Sequence, residues 1–282
     1  ARGAALLCDH RRNDYCLMRA RYGSDADLNE LLILTPEQKQ SFQDHGFLHL
    51  PGFYSGNDLQ RLRDEYHQLV TETEGRPQNL SYSYMEAPEG YAADEFNPKN
   101  VDGMMDQTRA GDFWFDQFTE PRVVSAMVDC LGPNVDFHNG KIRNKPPGFE
   151  STQGWHQDFP YEPHSRPELA AAITYLDPTD FEAGATEVIA ASHRAPLPTA
   201  EGTSVLVQED VDESRRQVCK VEAGDVVILH VLVIHRAGHN YTNRSRNAII
   251  NEYKTAEAID EWNNRCGFAG LPLARSGRLL MP

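Results

Sequence analysis

The segment Trp155-His156-Gln157-Asp158-Phe159 carries two residue types that hold transition metals, spaced two apart. In an extended chain, residues i and i+2 point the same way, so the His156 imidazole and the Asp158 carboxylate can meet at one point. A third donor lies far downstream, where the turn Gly224-Asp225 feeds an apolar run that ends in His235. Antiparallel pairing would bring His235 beside the first pair. Two histidines and one carboxylate on one face of an octahedral ion leave three positions open, the arrangement used by non-haem Fe(II) oxygenases. Those positions suit a bidentate co-substrate and O2. If the co-substrate is 2-oxoglutarate, its keto acid end chelates the iron, and its distal carboxylate needs a cation deep in the fold, ideally a guanidinium. Arg246, eleven residues after His235 at the start of an expected strand, is placed to supply it, with Arg244 as its rival on the same face.

The elements that must position these groups are legible along the chain. Thr35, Pro36 and Gln38 form a capping box with proline at the first helical position, which predicts a helix to about His45. Gly46 ends it, and Phe47–Leu50 reads as a short strand closed by Pro51-Gly52. Ser55 with Asp58 opens a second helix, whose apolar face is Leu59, Leu62, Tyr66, Leu69 and Val70. Residues 75–111 show no periodicity and are expected as a long, partly irregular segment of the kind that covers a binding site. Pro121 opens a third helix, with Val123, Val124, Met127, Val128 and Leu131 buried and Gly132-Pro133 as its stop.

From Asn134 the pattern changes to β-type runs over 135–145, 170–176, 186–190, 217–221, 226–230 and 246–253, which suggests a sandwich or jelly roll. The stretch from Glu257 is expected to pack irregularly along the outside. The expected organisation is a single domain over 34–282, with a helical part at 34–133, a β core at 134–255 and a C-terminal extension at 256–282. Residues 1–33 are expected to be a tail, natural or left by cloning. Residues 1–22 carry five arginines against Asp9 and Asp14, which leaves a transit peptide as the functional alternative.

Of the 282 residues, 40% are hydrophobic and 24% charged, which argues against wholesale disorder, collagen and coiled coil. No run approaches the length of about 20 apolar residues needed to span a bilayer, so no membrane role is expected. The net charge of -15 makes nucleic acid and anionic lipid poor partners. Five cysteines (Cys8, Cys16, Cys130, Cys219 and Cys266) are odd in number and form no C-x-x-C pair, which fits a reducing, cytoplasmic setting rather than a disulfide framework.

Four motifs occur in order: Asn144-Lys145-Pro146-Pro147; His156-Gln157-Asp158; Gly184 with Ser192-His193; and His235 with Asn240-x-Thr242-x-x-x-Arg246. With them, residues 35–255 resemble the phytanoyl-CoA dioxygenase (PhyH) family of Fe(II)/2-oxoglutarate-dependent oxygenases. The resemblance implies a double-stranded β-helix (jelly roll, cupin-like) following N-terminal helices. It also implies that His156, Asp158 and His235 ligate iron, that Arg246 binds the distal carboxylate of 2-oxoglutarate, and that Gln157, Thr174 and Lys141 line the co-substrate. His230 competes with His235, but the odd offset puts the two on opposite faces of a continuous strand, and only His235 has the matching arginine spacing. Two departures concern the co-substrate's packing: Ala237 replaces a frequent hydroxyl residue, and Ile173 stands where some members have an aromatic.

The implied reaction is oxidative decarboxylation of 2-oxoglutarate to succinate and carbon dioxide, coupled to hydroxylation of an unactivated C–H bond of a small organic substrate. Desaturation, epimerisation or cyclisation at the same centre, or a non-catalytic metal-binding jelly roll, are the alternatives. Asp158 disfavours halogenation, since related halogenases lose this carboxylate to make room for chloride. Lys141, Arg143 and Lys145 alternate along one strand face, which makes either a pocket for an anionic substrate group or a solvated edge. Phe159 and Tyr161 are expected at the substrate entrance, while His138, His164, His193 and His239 are expected to be hydrogen-bonded structural residues.

Overall fold

The computed structural model describes residues 33–71, 81–84, 101–149, 154–201, 203–261 and 267–280. The expectations for the N-terminal tail and for Cys8, Cys16 and Cys266 fall outside these residues. Helix α1 (Pro36–His45) begins where the Thr35 hydroxyl accepts the Gln38 N–H and the Gln38 side chain accepts the Thr35 N–H, the reciprocal cap read from the sequence. Gly46, at φ 80°, turns the chain out of the helix into β1 (Phe47–Leu50). Helix α2 (Gly56–Thr71) follows and buries Leu62, Tyr66 and Val70. Two further helices are α3 (Asp112–Phe118) and α4 (Pro121–Leu131). The start of α4 has a second signal beside Pro121, because the Glu120 carboxylate accepts the Val123 N–H at 3.1 Å.

The segment expected to be partly irregular contains regular elements among its described residues. It holds β2 (Ser81–Tyr84) paired with β3 (Val101–Met105), and a 3-10 turn over Gln107–Arg109 follows. The remaining strands are β4 (Val135–Lys145), β5 (Leu169–Tyr175), β6 (Thr186–Ile189), β7 (Arg216–Val218), β8 (Val226–His230), β9 (His235–Ala237), β10 (Arg246–Thr255), β11 (Pro272–Arg275) and β12 (Arg278–Leu279). The C-terminal stretch also departs from the expectation, since β11 pairs with β4 and extends the sheet instead of lying outside it.

All strand pairings among the described residues are antiparallel. The large sheet runs β1-β8-β5-β10-β4-β11-β12, with β3 also against β4 and β2 against β3, and the small sheet runs β7-β6-β9. Alternation along the strands separates two apolar layers. Ala170, Ala172, Val226 and Ile228 face the helices and pack in one cluster with Phe42, Leu62, Val124 and Met127. Their neighbours Ala171, Ile173, Val227 and Leu229 face the other way and pack with Val188, Cys219 and Val233 on the side of the small sheet. The result is a jelly roll whose helices cover the outer face of the large sheet, leaving the inner face available for a site. Cys130 and Cys219 are buried free thiols. No helix among the described residues is long and apolar enough to cross a membrane.

Candidate metal centre

Residues 154–159 lie alongside the chain that leaves β8. His156 N–H donates to the His235 carbonyl at 3.0 Å, His235 N–H donates to the His156 carbonyl at 2.9 Å, and Asp158 N–H donates to the Val231 carbonyl at 3.0 Å. This ladder closes the gap of 79 residues that separates the two histidines in sequence. His156 Nε2 lies 3.6 Å from one Asp158 carboxylate oxygen and His235 Nε2 lies 3.7 Å from the other. The two imidazole centroids are 4.1 Å apart.

The backbone sets which nitrogen of each ring is available. His156 Nδ1 sits 2.9 Å from the Gly154 carbonyl, and His235 Nδ1 sits 3.0 Å from the Val233 carbonyl. A carbonyl only accepts, so each Nδ1 carries the proton and each Nε2 presents a lone pair toward Asp158. Burial, reinforced by His235, pushes the His156 imidazolium down to about 4, so the ring stays neutral and able to ligate near neutral pH. Two imidazoles and a carboxylate, with their donor atoms within 4.8 Å of one another, fit a divalent transition metal.

The three donors line a cavity of about 300 Å³ between the sheets. Lys145 and Arg246, cross-strand partners on β4 and β10 and 6% and 4% exposed, line the same cavity. The Arg246 guanidinium lies over the Tyr175 ring at 4.9 Å, and its buried Nε donates to no acceptor. Lys145 Nζ donates to the Gly238 carbonyl. Burial, with Arg246 and Arg143 close by, pushes the Lys145 ammonium down to about 6. A buried guanidinium with an unused donor, beside a lysine that burial disposes to the neutral amine, suits a carboxylate entering from the cavity.

The remaining expected residues divide. Lys141 lines the cavity, but its ammonium is 2.5 Å from Glu252 and 3.7 Å from Glu162. Burial and the nearby Glu162 push the Glu252 carboxyl up, whereas Lys141 and a hydrogen bond from His138 hold Glu162 down despite its burial. Arg143 also lines the cavity and is exposed, whereas Arg244 is exposed and off it. Tyr161, 36% exposed, stands edge-on to His156 with centroids 5.9 Å apart.

Three expectations are corrected. Gln157 points away from the cavity, because i and i+1 of an extended segment face opposite sides; its amide donates to the Ala195 and Leu232 carbonyls and accepts the Leu197 N–H. Thr174 lies on the helix-facing side of β5, and Ile173 is the residue that lines the cavity. Phe159 does not line the cavity but packs against the cluster of Leu169, Val231, Leu232 and Ala258. His230 is no ligand; its Nδ1 accepts the Leu232 N–H at 3.1 Å and its ring faces Phe42 and His193. Glu252 and Ile250 were missed, although stepping by two from Arg246 along β10 reaches both.

The sequence profile described as "Phytanoyl-CoA dioxygenase (PhyH)" matches residues 42–248. The chain belongs to this family. The PhyH chain is 26% identical to the peroxisomal phytanoyl-CoA dioxygenase of Rattus norvegicus over 80% of its own length and 70% of the relative's. It is 23% identical to a probable alpha-ketoglutarate-dependent hypophosphite dioxygenase of Stutzerimonas stutzeri, covering 79% of each chain. Among solved structures it resembles the non-heme alpha-ketoglutarate-dependent carbocyclase SnoK from nogalamycin biosynthesis, with TM-score 0.67, 19% identity, and 84% of this chain and 89% of that one covered. The shared architecture identifies the PhyH jelly roll as the cupin-like, double-stranded β-helix kind.

Proposed function

We propose that this PhyH-family protein is an Fe(II)- and 2-oxoglutarate-dependent dioxygenase that hydroxylates an unactivated C–H bond of a small organic substrate. The observation that carries the reading is that one cavity is lined both by three metal donors with their lone pairs preset and by a buried guanidinium with an unused N–H. In this reading His156, Asp158 and His235 hold the metal, whose chemistry when bound is oxidative decarboxylation of 2-oxoglutarate coupled to substrate oxidation. Arg246 takes the distal carboxylate, with its plane held by the Tyr175 ring.

The chain's own groups also shape what enters. Lys141 is engaged by Glu162 and Glu252, so Arg143 is the exposed cation lining the cavity that is left to meet an anionic substrate group. The apolar wall formed by Ala171, Ile173, Leu229 and Ile250 keeps water from the reacting centre. A cavity of about 300 Å³ suits a compact substrate or the reacting part of a longer one. The test is to supply Fe(II), 2-oxoglutarate and O2 with a panel of small acids and follow succinate. Substrate-stimulated succinate release supports the reading. A protein that releases none, with or without candidate substrates, is a metal-binding jelly roll instead.

A further inference from the structure

A second group of two histidines and one carboxylate lies outside the cavity. One ring nitrogen each of His138 and His164, and an Asp260 oxygen, lie within 4.8 Å of one another. Each is delivered by a definite backbone feature. In the register of β4 with β10, Asn139 pairs with Glu252 and Phe137 with Tyr253, so His138 is the extra residue of a β-bulge, a device that re-aims a side chain. His164 and Asp260 are directly opposed in an antiparallel bridge, flanked by Ser165 N–H to the Ile259 carbonyl at 2.9 Å and Glu261 N–H to the Pro163 carbonyl at 3.0 Å. Hydrogen bonds placed on either side define a non-hydrogen-bonded pair, in which opposed side chains approach most closely.

The ring nitrogens are prepared as in the first centre. His164 Nδ1 donates to the Glu162 carbonyl at 2.8 Å, which leaves the lone pair on Nε2. That Nε2 is buried, hydrogen-bonded to nothing, and belongs to a residue only 4% exposed. His138 Nε2 lies 3.1 Å from a Glu162 carboxylate oxygen, so in the neutral ring the lone pair is on Nδ1. A carboxylate holding the far N–H of an imidazole is the usual outer support of a histidine ligand. The two rings stand nearly perpendicular, with centroids 4.6 Å apart.

We propose that His138, His164 and Asp260 form a second divalent-metal site, of the zinc type, with water as its fourth ligand. It clamps the 158–164 loop, which carries Asp158 of the first centre, to β4 and to the segment at Asp260. The site stands on this chain's residues alone and does not depend on the dioxygenase reading.

The experiment uses untagged, chelator-stripped protein in which the first centre is removed by Asp158→Ala and His235→Ala. It is titrated with Zn(II) against a chromophoric chelator, with far-UV circular dichroism confirming the fold. One equivalent is expected to bind, and adding His164→Leu weakens it by about 100-fold or more. Co(II) in the same protein is expected to give the intense visible bands of a tetrahedral ion, lost with His164→Leu. Absence of zinc binding in the folded variant overturns the site, as does binding that survives His164→Leu. Should the variant without the first centre not fold, the comparison moves to otherwise wild-type protein, where two equivalents are expected and His164→Leu keeps one. Equal stoichiometry in the two overturns the proposal.

Discussion

The chemistry of this protein turns on individual protons. Each histidine proposed as a ligand spends its Nδ1–H on a carbonyl two residues earlier, Gly154 for His156 and Val233 for His235, so the tautomer that metal binding needs is already set by the backbone. In the proposed role of Arg246, replacing it with Ala removes a charge-assisted, two-pronged contact worth about 1.5–3 kcal/mol. Arg246→Ala is therefore expected to raise the KM for 2-oxoglutarate about 10- to 100-fold while the protein still binds one equivalent of metal. Metal content measured beside steady-state kinetics checks both halves. A second prediction concerns acid. His156 and His230 are both held down to about 4, by burial first and then by His235 and His193 respectively. Below the ordinary value of 6.5 the unfolded chain takes up protons that the folded chain refuses, so stability falls as pH drops from about 6.5 toward 4. Each group contributes a loss of roughly 2 kcal/mol between pH 6 and pH 4.5. Urea denaturation of metal-free protein is expected to show this decline, and His230→Asn, which can still accept the Leu232 N–H, is expected to make it shallower.

At the scale of elements, the site depends on turns and tethers more than on the strands that carry its residues. Gly224 launches β8 with φ 91°, and a Cβ there would lie 2.0 Å from the Tyr54 carbonyl oxygen. Gly224→Ala combines a left-handed strain with a backbone collision, for an expected cost of at least about 3 kcal/mol in denaturant titration. Gln157 ties the stretch of Ala195 and Leu197 to Leu232 through three hydrogen bonds. Gln157→Leu leaves those backbone groups unpaired and is expected to cost about 2–4 kcal/mol of stability, with the KM for 2-oxoglutarate unchanged. A raised KM in a stable variant would restore the co-substrate role assigned from the sequence. The contrast shows what the sequence could carry. Local signals placed α1, β1, α4, β4 and β8 at or within a residue of their ends, because caps, glycine stops and alternation act within a few residues. The neighbours Gln157 and Thr174 were misassigned because only parity against a known inward residue tells which face a side chain takes. β2, β3 and β11 were missed because they gain their stability from pairing, β3 and β11 with distant β4 and β2 with β3, rather than from their own composition.

For the whole molecule, the cavity is walled by both sheets, with Ala171, Ile173 and Leu229 from the large one and Thr186 and Ala237 from the small one. Ligands held there favour the assembled jelly roll over the unfolded chain by mass action. At about 100 times the dissociation constant this amounts to roughly 2.7 kcal/mol, or about 5–10 °C in Tm for a chain of this size. Differential scanning with Mn(II) and 2-oxoglutarate together is expected to show that rise, larger than with either alone, and to lose it in Asp158→Ala. The proposed function requires His156, Asp158 and His235 to hold one ferrous ion together. Anaerobic titration of wild-type protein with Fe(II) and 2-oxoglutarate tests it most directly. A weak visible charge-transfer band saturating at one iron per chain, and absent from Asp158→Ala, is the predicted result; no band in the wild type, or an undiminished band in Asp158→Ala, would contradict it.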